Sequence, residues 1–219
     1  MGKAKNELLS TEVNHLDIKQ FDFVKLVEAM KGTAFQARNM SRAAEIYHQM
    51  LSDNKCGVIL CLAGSLISAG LKKVVLDMIE NNMVDMIVST GANIVDQDFF
   101  EGLGFKHYQG SPLLEDTELQ ALAIDRIYDT LIDEDQLRIC DNTIADIANA
   151  MQPGAYSSRE FIQEMGRYLE KNGKNDESIV LRAYQKNIPI FVPAFSDCSA
   201  GFGLVMHQVA HPEKHVSID

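Results

Sequence analysis

The sequence holds 219 residues, 46% hydrophobic and 23% charged, with a net charge of −11. That length supports one substantial core and falls short for two. The acidic balance argues against nucleic acid, whose phosphates need clustered Lys and Arg.

No stretch approaches the roughly 18 apolar residues of a membrane span, and MGKAKNELLS lacks the apolar run of a signal peptide. Cys56, Cys61, Cys140 and Cys198 are scattered with no CxxC pair. They suit buried, reduced thiols of a cytoplasmic protein better than a structural zinc site.

In chain order, residues 1–22 read as a polar N-terminal arm, expected to be loosely held. FDFVKLVEAMKG sets Phe23, Leu26, Val27 and Met30 at helical spacing, with Gly32 to end the helix. SRAAEIYHQMLSDN is a second predicted helix with Ser41 as its N-cap. CGVILCLAG is a short unbroken apolar run, the pattern of a strand covered on both faces. LKKVVLDMIENNM predicts a helix, VDMIVSTGAN a strand led in by Asp85, and DQDFFEGLG a short helix. Beyond a loop near HYQGSP, the segments TELQALAIDRIYDTLI, DNTIADIANAM, SSREFIQEMGRYLEKNG and ESIVLRAYQKN are predicted helical. IPIFVPA is a strand, and SAGFGLVMHQVA begins a helix.

Strands alternating with helices predict an α/β fold: a parallel sheet with helices on both faces, in a single domain over 23–219. The closing VSID reads as a further strand, either at a sheet edge or leading into a longer chain. The second is the expectation.

Three predicted strands end in small residues: CLAGSLISAG, IVSTGAN and FVPAFSDCSAG. In open parallel sheets, ligands bind just beyond the C-terminal ends of strands. Small residues let backbone N–H groups approach a phosphate, and a following helix N-terminus favours its charge. One such loop is as readily explained by tight helix–strand packing; three in one sheet raise the case for a ligand. The glycine spacing is not GxGxxG, so the usual dinucleotide fingerprint is absent.

Asp96 and Asp197 stand beside the second and third loops. Each suits either a ribose hydroxyl or an amine, or the capping of a helix. His207 and His211 lie at i, i+4, but Pro212 ends the helix there, so no metal site is expected. Cys198 beside Asp197 reads as a small packed residue before it reads as a nucleophile. No GxSxG or HExxH motif occurs.

The segments GTAFQARNMSRAAEIYHQM (Gly32–Met50), LAGSLISAGLKKVVLDMIENNMVDMIVSTGANIVDQDF (Leu62–Phe99) and NIPIFVPAFSDCSAGFG (Asn187–Gly203) together resemble the deoxyhypusine synthase family, and within it the bacterial deoxyhypusine synthase-like branch. The resemblance runs over about 170 residues. It implies a Rossmann-like sheet, bound NAD, and a homotetramer with active sites between subunits. It also implies an NAD-dependent aminoalkyl transfer from a polyamine to an acceptor amine, through an enzyme-lysine imine. Carried over position by position, the cofactor contacts fall on Gly64, Ser65, Leu66, Ile67 and Ser68 in the first loop. They fall on Thr90, Gly91, Ala92 and Asp96 in the second, and on Asp197 in the third.

The sequence departs from the family at telling places. The family carries Asn where Ser65 stands, an acid where Val95 stands, and a polyamine-holding acid where Phe202 stands. Its catalytic lysine lies in a final third that has no counterpart in this sequence. The catalytic residues are therefore unassigned, and the family's usual pose for spermidine is not expected, because an unpaired buried ammonium is costly. Two functions stay open: a transferase whose lysine lies outside these residues, or a non-catalytic paralogue that binds NAD or a partner. A sirtuin-like deacylase is more distant, since its zinc cysteine pairs are missing.

Overall fold

The computed structural model describes residues 4–218. Its first part carries α1 (Lys5–Leu8), α2 (Val24–Met30) and α3 (Phe35–Ser52). The apolar run then forms β1 (Ile59–Leu62). A wide turn over Ile67–Leu71, kinked at Gly70, leads into α4 (Lys72–Glu80). Next, β2 (Met86–Ser89) passes directly into a π-helical segment, Ala92–Phe99, which α5 (Phe100–Gly102) continues. The chain proceeds through β3 (Tyr108–Gln109), α6 (Asp116–Ala121), β4 (Ile124–Ile127), β5 (Thr130–Asp133) and α7 (Glu134–Ala150). It ends in β6 (Gly154–Tyr156), α8 (Ser158–Asn172), α9 (Ile179–Lys186), β7 (Ile190–Phe191), α10 (Ser199–Ala210) and β8 (Val216–Ile218).

Strands β1, β2 and β7 form a parallel sheet in that order, with Ile87 opposite both Leu60 and Ile190. Asp85 fixes the lower edge by accepting the Val58 N–H at 2.7 Å. Ile67, Ile79, Ile87, Ile94, Phe99 and Ile179 are completely buried in the main core. The fold is mixed α/β with a parallel sheet, as expected. The terminal strand β8 pairs in parallel with β6, outside that sheet.

Three expectations are corrected. TELQALAIDRIYDTLI is not one helix: α6 stops at Ala121, and an antiparallel hairpin β4–β5 follows. Ala123 and Tyr128 take left-handed φ values of 51° and 55°, which end the helix and turn the hairpin. Leu119, Ile124 and Leu131 then bury together in a small second core. Ser41 does not cap its helix. It lies inside α3 and is buried.

The N-terminal arm, thirdly, is pinned rather than loose across the described residues from Thr11 to Lys19. Gln109 N–H donates to Thr11 C=O, Leu16 N–H donates to Gly70 C=O, and Lys19 and Asp17 pair with Asp77 and Lys73. Gly70, at φ 88°, is needed where the arm crosses: a Cβ there would stand 2.8 Å from the Asn14 carbonyl.

Candidate functional site

Beyond the C-terminal ends of β1, β2 and β7 lies a cleft of about 360 Å³. Cys61, Ala63, Thr90, Gly91, Ala194 and Asp197 help to line it. The three small-residue loops thus converge at one sheet edge, where ligands of parallel sheets bind. Gly91 makes the closest approach. A Cβ on it would stand 2.5 Å from Cys198 Sγ and 2.7 Å from Cys198 Cβ, so only glycine lets the second loop meet the third.

The first loop turns at Gly64, whose φ of 67° favours glycine. Ser65 and Leu66 are half-buried, while Ile67 and Ser68 are buried. Ile67 therefore presents only backbone to a ligand. Ser65, Ser68 and Ala69 line a second cavity of about 540 Å³, shared with Val13 of the arm and Tyr128 and Asp129 of the hairpin turn.

Thr90 bridges the two loops. Its hydroxyl donates to the Gly64 carbonyl at 3.4 Å and accepts from Asn93 Nδ2 at 3.1 Å. Ala92 begins the π-helical segment, one turn before Asp96.

Asp96 and Asp197 occupy different settings. Asp197 is exposed on the cleft wall. Asp96 is half-buried, and its Oδ1 accepts the Ser199 N–H at 2.9 Å, at the start of α10. Burial pushes its pKa up to about 6, against the pull of the Ser199 hydrogen bond; the charges of Asp141 and Asp197 add to the rise. Of the two roles open to it, helix capping is realised in this geometry.

Cys198 is half-buried, with its thiol donating to the Phe195 carbonyl at 3.1 Å. Burial, with the Asp96 carboxylate nearby, pushes its pKa up to about 12. Both effects disfavour the thiolate that nucleophilic work needs. The cysteines are less uniformly buried than expected: Cys140 is buried, Cys56 and Cys198 are intermediate, and Cys61 is exposed on the cleft wall. The strand is not covered on both faces as expected: β1 is an edge of its sheet, and Ile59 is exposed along with Cys61. The histidine pair His207 and His211 holds no metal-like cluster, and none occurs among the described residues.

Sequence reasoning missed the residues behind the loops. Asn93 and Gln97, both fully buried, accept the N–H groups of Leu66 and Ser68, each at 2.9 Å. Asp98, also fully buried, accepts from Ser178 Oγ and from the N–H groups of Ile179 and Val180, which ties the same segment to α9. The available signal was polar residues at i, i+4 inside an apolar helical stretch. Lys72, 1% exposed, pairs with Glu101, which also bonds His15 Nε2 at 2.8 Å and His107 Nδ1 at 2.7 Å. This buried cluster fastens the arm to the base of the first loop.

The family model for deoxyhypusine synthase matches residues 25–219. The chain belongs to the deoxyhypusine synthase family. A deoxyhypusine synthase-like protein of Chlorobaculum tepidum is 65% identical over 215 residues, covering 98% of this chain and 61% of that protein. One of Elusimicrobium minutum is 56% identical over 221 residues, covering 99% of this chain and 59% of its own length. The "probable deoxyhypusine synthase 2" of Methanosarcina acetivorans is 40% identical over 191 residues, covering 87% and 55%.

The chain thus spans about three fifths of the length of the curated deoxyhypusine synthase-like proteins it matches. A solved structure described as a "putative deoxyhypusine synthase" of Entamoeba histolytica superposes with a TM-score of 0.63. It is 17% identical and covers 94% of this chain and 70% of its own, a likeness of fold. No helix among the described residues is long and apolar enough to cross a membrane.

Proposed function

We propose that this chain carries the NAD-binding part of a deoxyhypusine synthase-like aminoalkyl transferase, with a Rossmann-like sheet, acting in the cytoplasm. The observation that carries the reading is the cleft where three loops meet, with Gly91 packed so closely on Cys198 that no side chain fits between them. Membership of the family supplies the cofactor, and the residues present suit it. Gly64, Ser65, Leu66, Ile67 and Ser68 would offer one wall. Thr90, Gly91 and Ala92 would offer the floor, while Asp96 and Asp197 would supply carboxylates for ribose hydroxyls.

NAD, when bound, would supply the hydride-accepting chemistry of the transfer. The work left to these residues is to bind it, orient it and shield it from water. Among the described residues lining the cleft there is no lysine. The imine-forming lysine is therefore assigned to no residue of this chain.

The donor in this reading is a polyamine or smaller amine and the acceptor a second amine. Val95 is fully buried in the core and Phe202 is 68% exposed, so neither offers a carboxylate for an ammonium. On α10, Phe202, Val205, Met206 and Val209 share one exposed apolar face at helical spacing. That face supports the homotetramer, in which it would lie between subunits.

A second reading, a non-catalytic NAD- or partner-binding paralogue, draws on the loss of the family's acids at Val95 and Phe202 and on the unassigned lysine. Calorimetry with NAD, followed by turnover assays over a panel of di- and polyamines, separates the two. NAD binding with amine-dependent NADH formation supports the transferase. In the full-length protein, binding without turnover supports the paralogue, while no binding of NAD sinks the transferase and leaves only a partner-binding paralogue.

A further inference from the structure

We propose that Asn93 and Gln97 are positioning residues that preset the first loop from behind and thereby set its affinity for a dinucleotide. The inference rests on the reading of Gly64–Ser68 as a cofactor loop. Both side chains are fully buried and stand four residues apart on one side of the π-helical segment. The intervening Ile94 and Val95 belong to the main core.

Together the two amides address alternate residues of the loop. Asn93 Oδ1 takes the Leu66 N–H, and Gln97 Oε1 takes the Ser68 N–H. Asn93 Nδ2 donates to Thr90 Oγ1, whose own proton reaches the Gly64 carbonyl. The loop is thus held at 64, 66 and 68. The hydroxyl of Ser68 then closes it internally on the Ser65 carbonyl at 3.1 Å.

Gln97 shows that this arrangement is more than packing. Its Nε2 is buried with no hydrogen-bond partner among the described residues. An orphaned buried donor is destabilising, and an apolar side chain of similar volume would avoid it. The protein keeps the amide because only its oxygen reaches Ser68.

There is a consequence for the ligand. The Leu66 and Ser68 amides open the turn that follows β1, where a phosphate would otherwise find free donors. Both are already filled. A dinucleotide on this wall therefore meets Leu66 and Ser68 without their amides, and any backbone N–H it uses comes from the other loop residues.

The test uses two variants of this chain, Asn93→Ala and Gln97→Met. In the unliganded wild type, the Leu66 and Ser68 amides should be protected from hydrogen exchange. Gln97→Met should speed exchange at Ser68 at least tenfold, and Asn93→Ala should do so at Leu66, with the amides of α8 unchanged. Equal exchange in wild type and variants overturns the assignment. Calorimetry with NAD should show each variant binding about five- to tenfold more weakly, the size of one net hydrogen bond. Met165→Ala, a truncation elsewhere in the main core, should lower the melting temperature without that loss. Equal NAD affinity in wild type and both loop variants also overturns the proposal. A wild type that protects both amides yet binds no NAD leaves the loop assignment standing and removes the cofactor reading.

Discussion

Asp96 holds the start of α10 from another part of the chain: its Oδ1 accepts the Ser199 N–H at 2.9 Å across 103 positions of sequence. Its folded pKa of about 6 lies above the ordinary 3.8. The folded state thus favours the protonated acid. That contribution is fully present below pH 3.8 and is lost as pH rises through 6. At pH 8 the buried charge costs on the order of 3 kcal/mol. Asp96→Asn keeps an acceptor for Ser199 without the charge. It should raise the melting temperature by several degrees at pH 8 and by little at pH 4.5. If the carboxylate also takes ribose hydroxyls, the same variant should bind NAD about tenfold more weakly. Lower stability at pH 8 would mean that α10 needs the anion.

Gly91 and Cys198 meet too closely for any side chain between them. Gly91→Ala should destabilise the chain by about 1–3 kcal/mol through overpacking. It should also move the second and third loops apart. Combining it with Cys198→Gly removes both clashing atoms and should recover most of the loss in urea melts. A strictly additive double variant would show that the contact does not carry the effect.

Much of this was legible in the sequence. An unbroken apolar run followed by small residues suits a strand running into a close-packed turn, and three such runs form the parallel sheet β1–β2–β7. The hairpin at Ile124–Asp133 was hidden for a physical reason. Its apolar positions satisfy helical spacing as well as alternation, and the residues that turn left-handed, Ala123 and Tyr128, carry no glycine or asparagine signal. Ser41 reads as a cap because a buried serine inside a helix looks the same in sequence as a serine at a cap. The contacts of Asn93, Gln97 and Asp98 were invisible because their partners lie 27, 29 and 80–82 residues away.

Glu101 neutralises Lys72 in a place where neither has water to turn to. Hydrogen bonds from His107 and His15 and the Lys72 charge hold its carboxyl well below the usual range, against the opposing effect of burial. This depressed acid stabilises the fold above pH 4.5, and the contribution is lost as pH falls further. Glu101→Gln should cost about 3–5 kcal/mol, because it leaves a buried ammonium without its counter-charge. Limited proteolysis should cut the segment around His15 faster in that variant. Lys72→Met combined with Glu101→Gln should regain part of the stability. A loss below about 1 kcal/mol would show that Lys72 finds another partner.

His207 ties the last described strand to α10 and works only as a neutral ring. Its Nε2 accepts the Val216 N–H at 2.8 Å, so the proton sits on Nδ1 and is donated to Asn149 Oδ1 at 2.7 Å. Burial lowers its pKa from 6.5, and the neighbouring His211 and His215 charges lower it further. A histidine with a depressed folded pKa contributes stability that is complete above pH 6.5 and is lost as pH falls through the folded value. Protonation removes the acceptor at Nε2 and leaves the Val216 amide unpaired beside a cation. Acidification from pH 7.5 to 5 should therefore raise hydrogen exchange at Val216 while the β1 and β2 amides stay protected. His207→Phe should lose about 1 kcal/mol at pH 7.5 and abolish that pH response at Val216. An identical response in the variant would place the titrating group elsewhere.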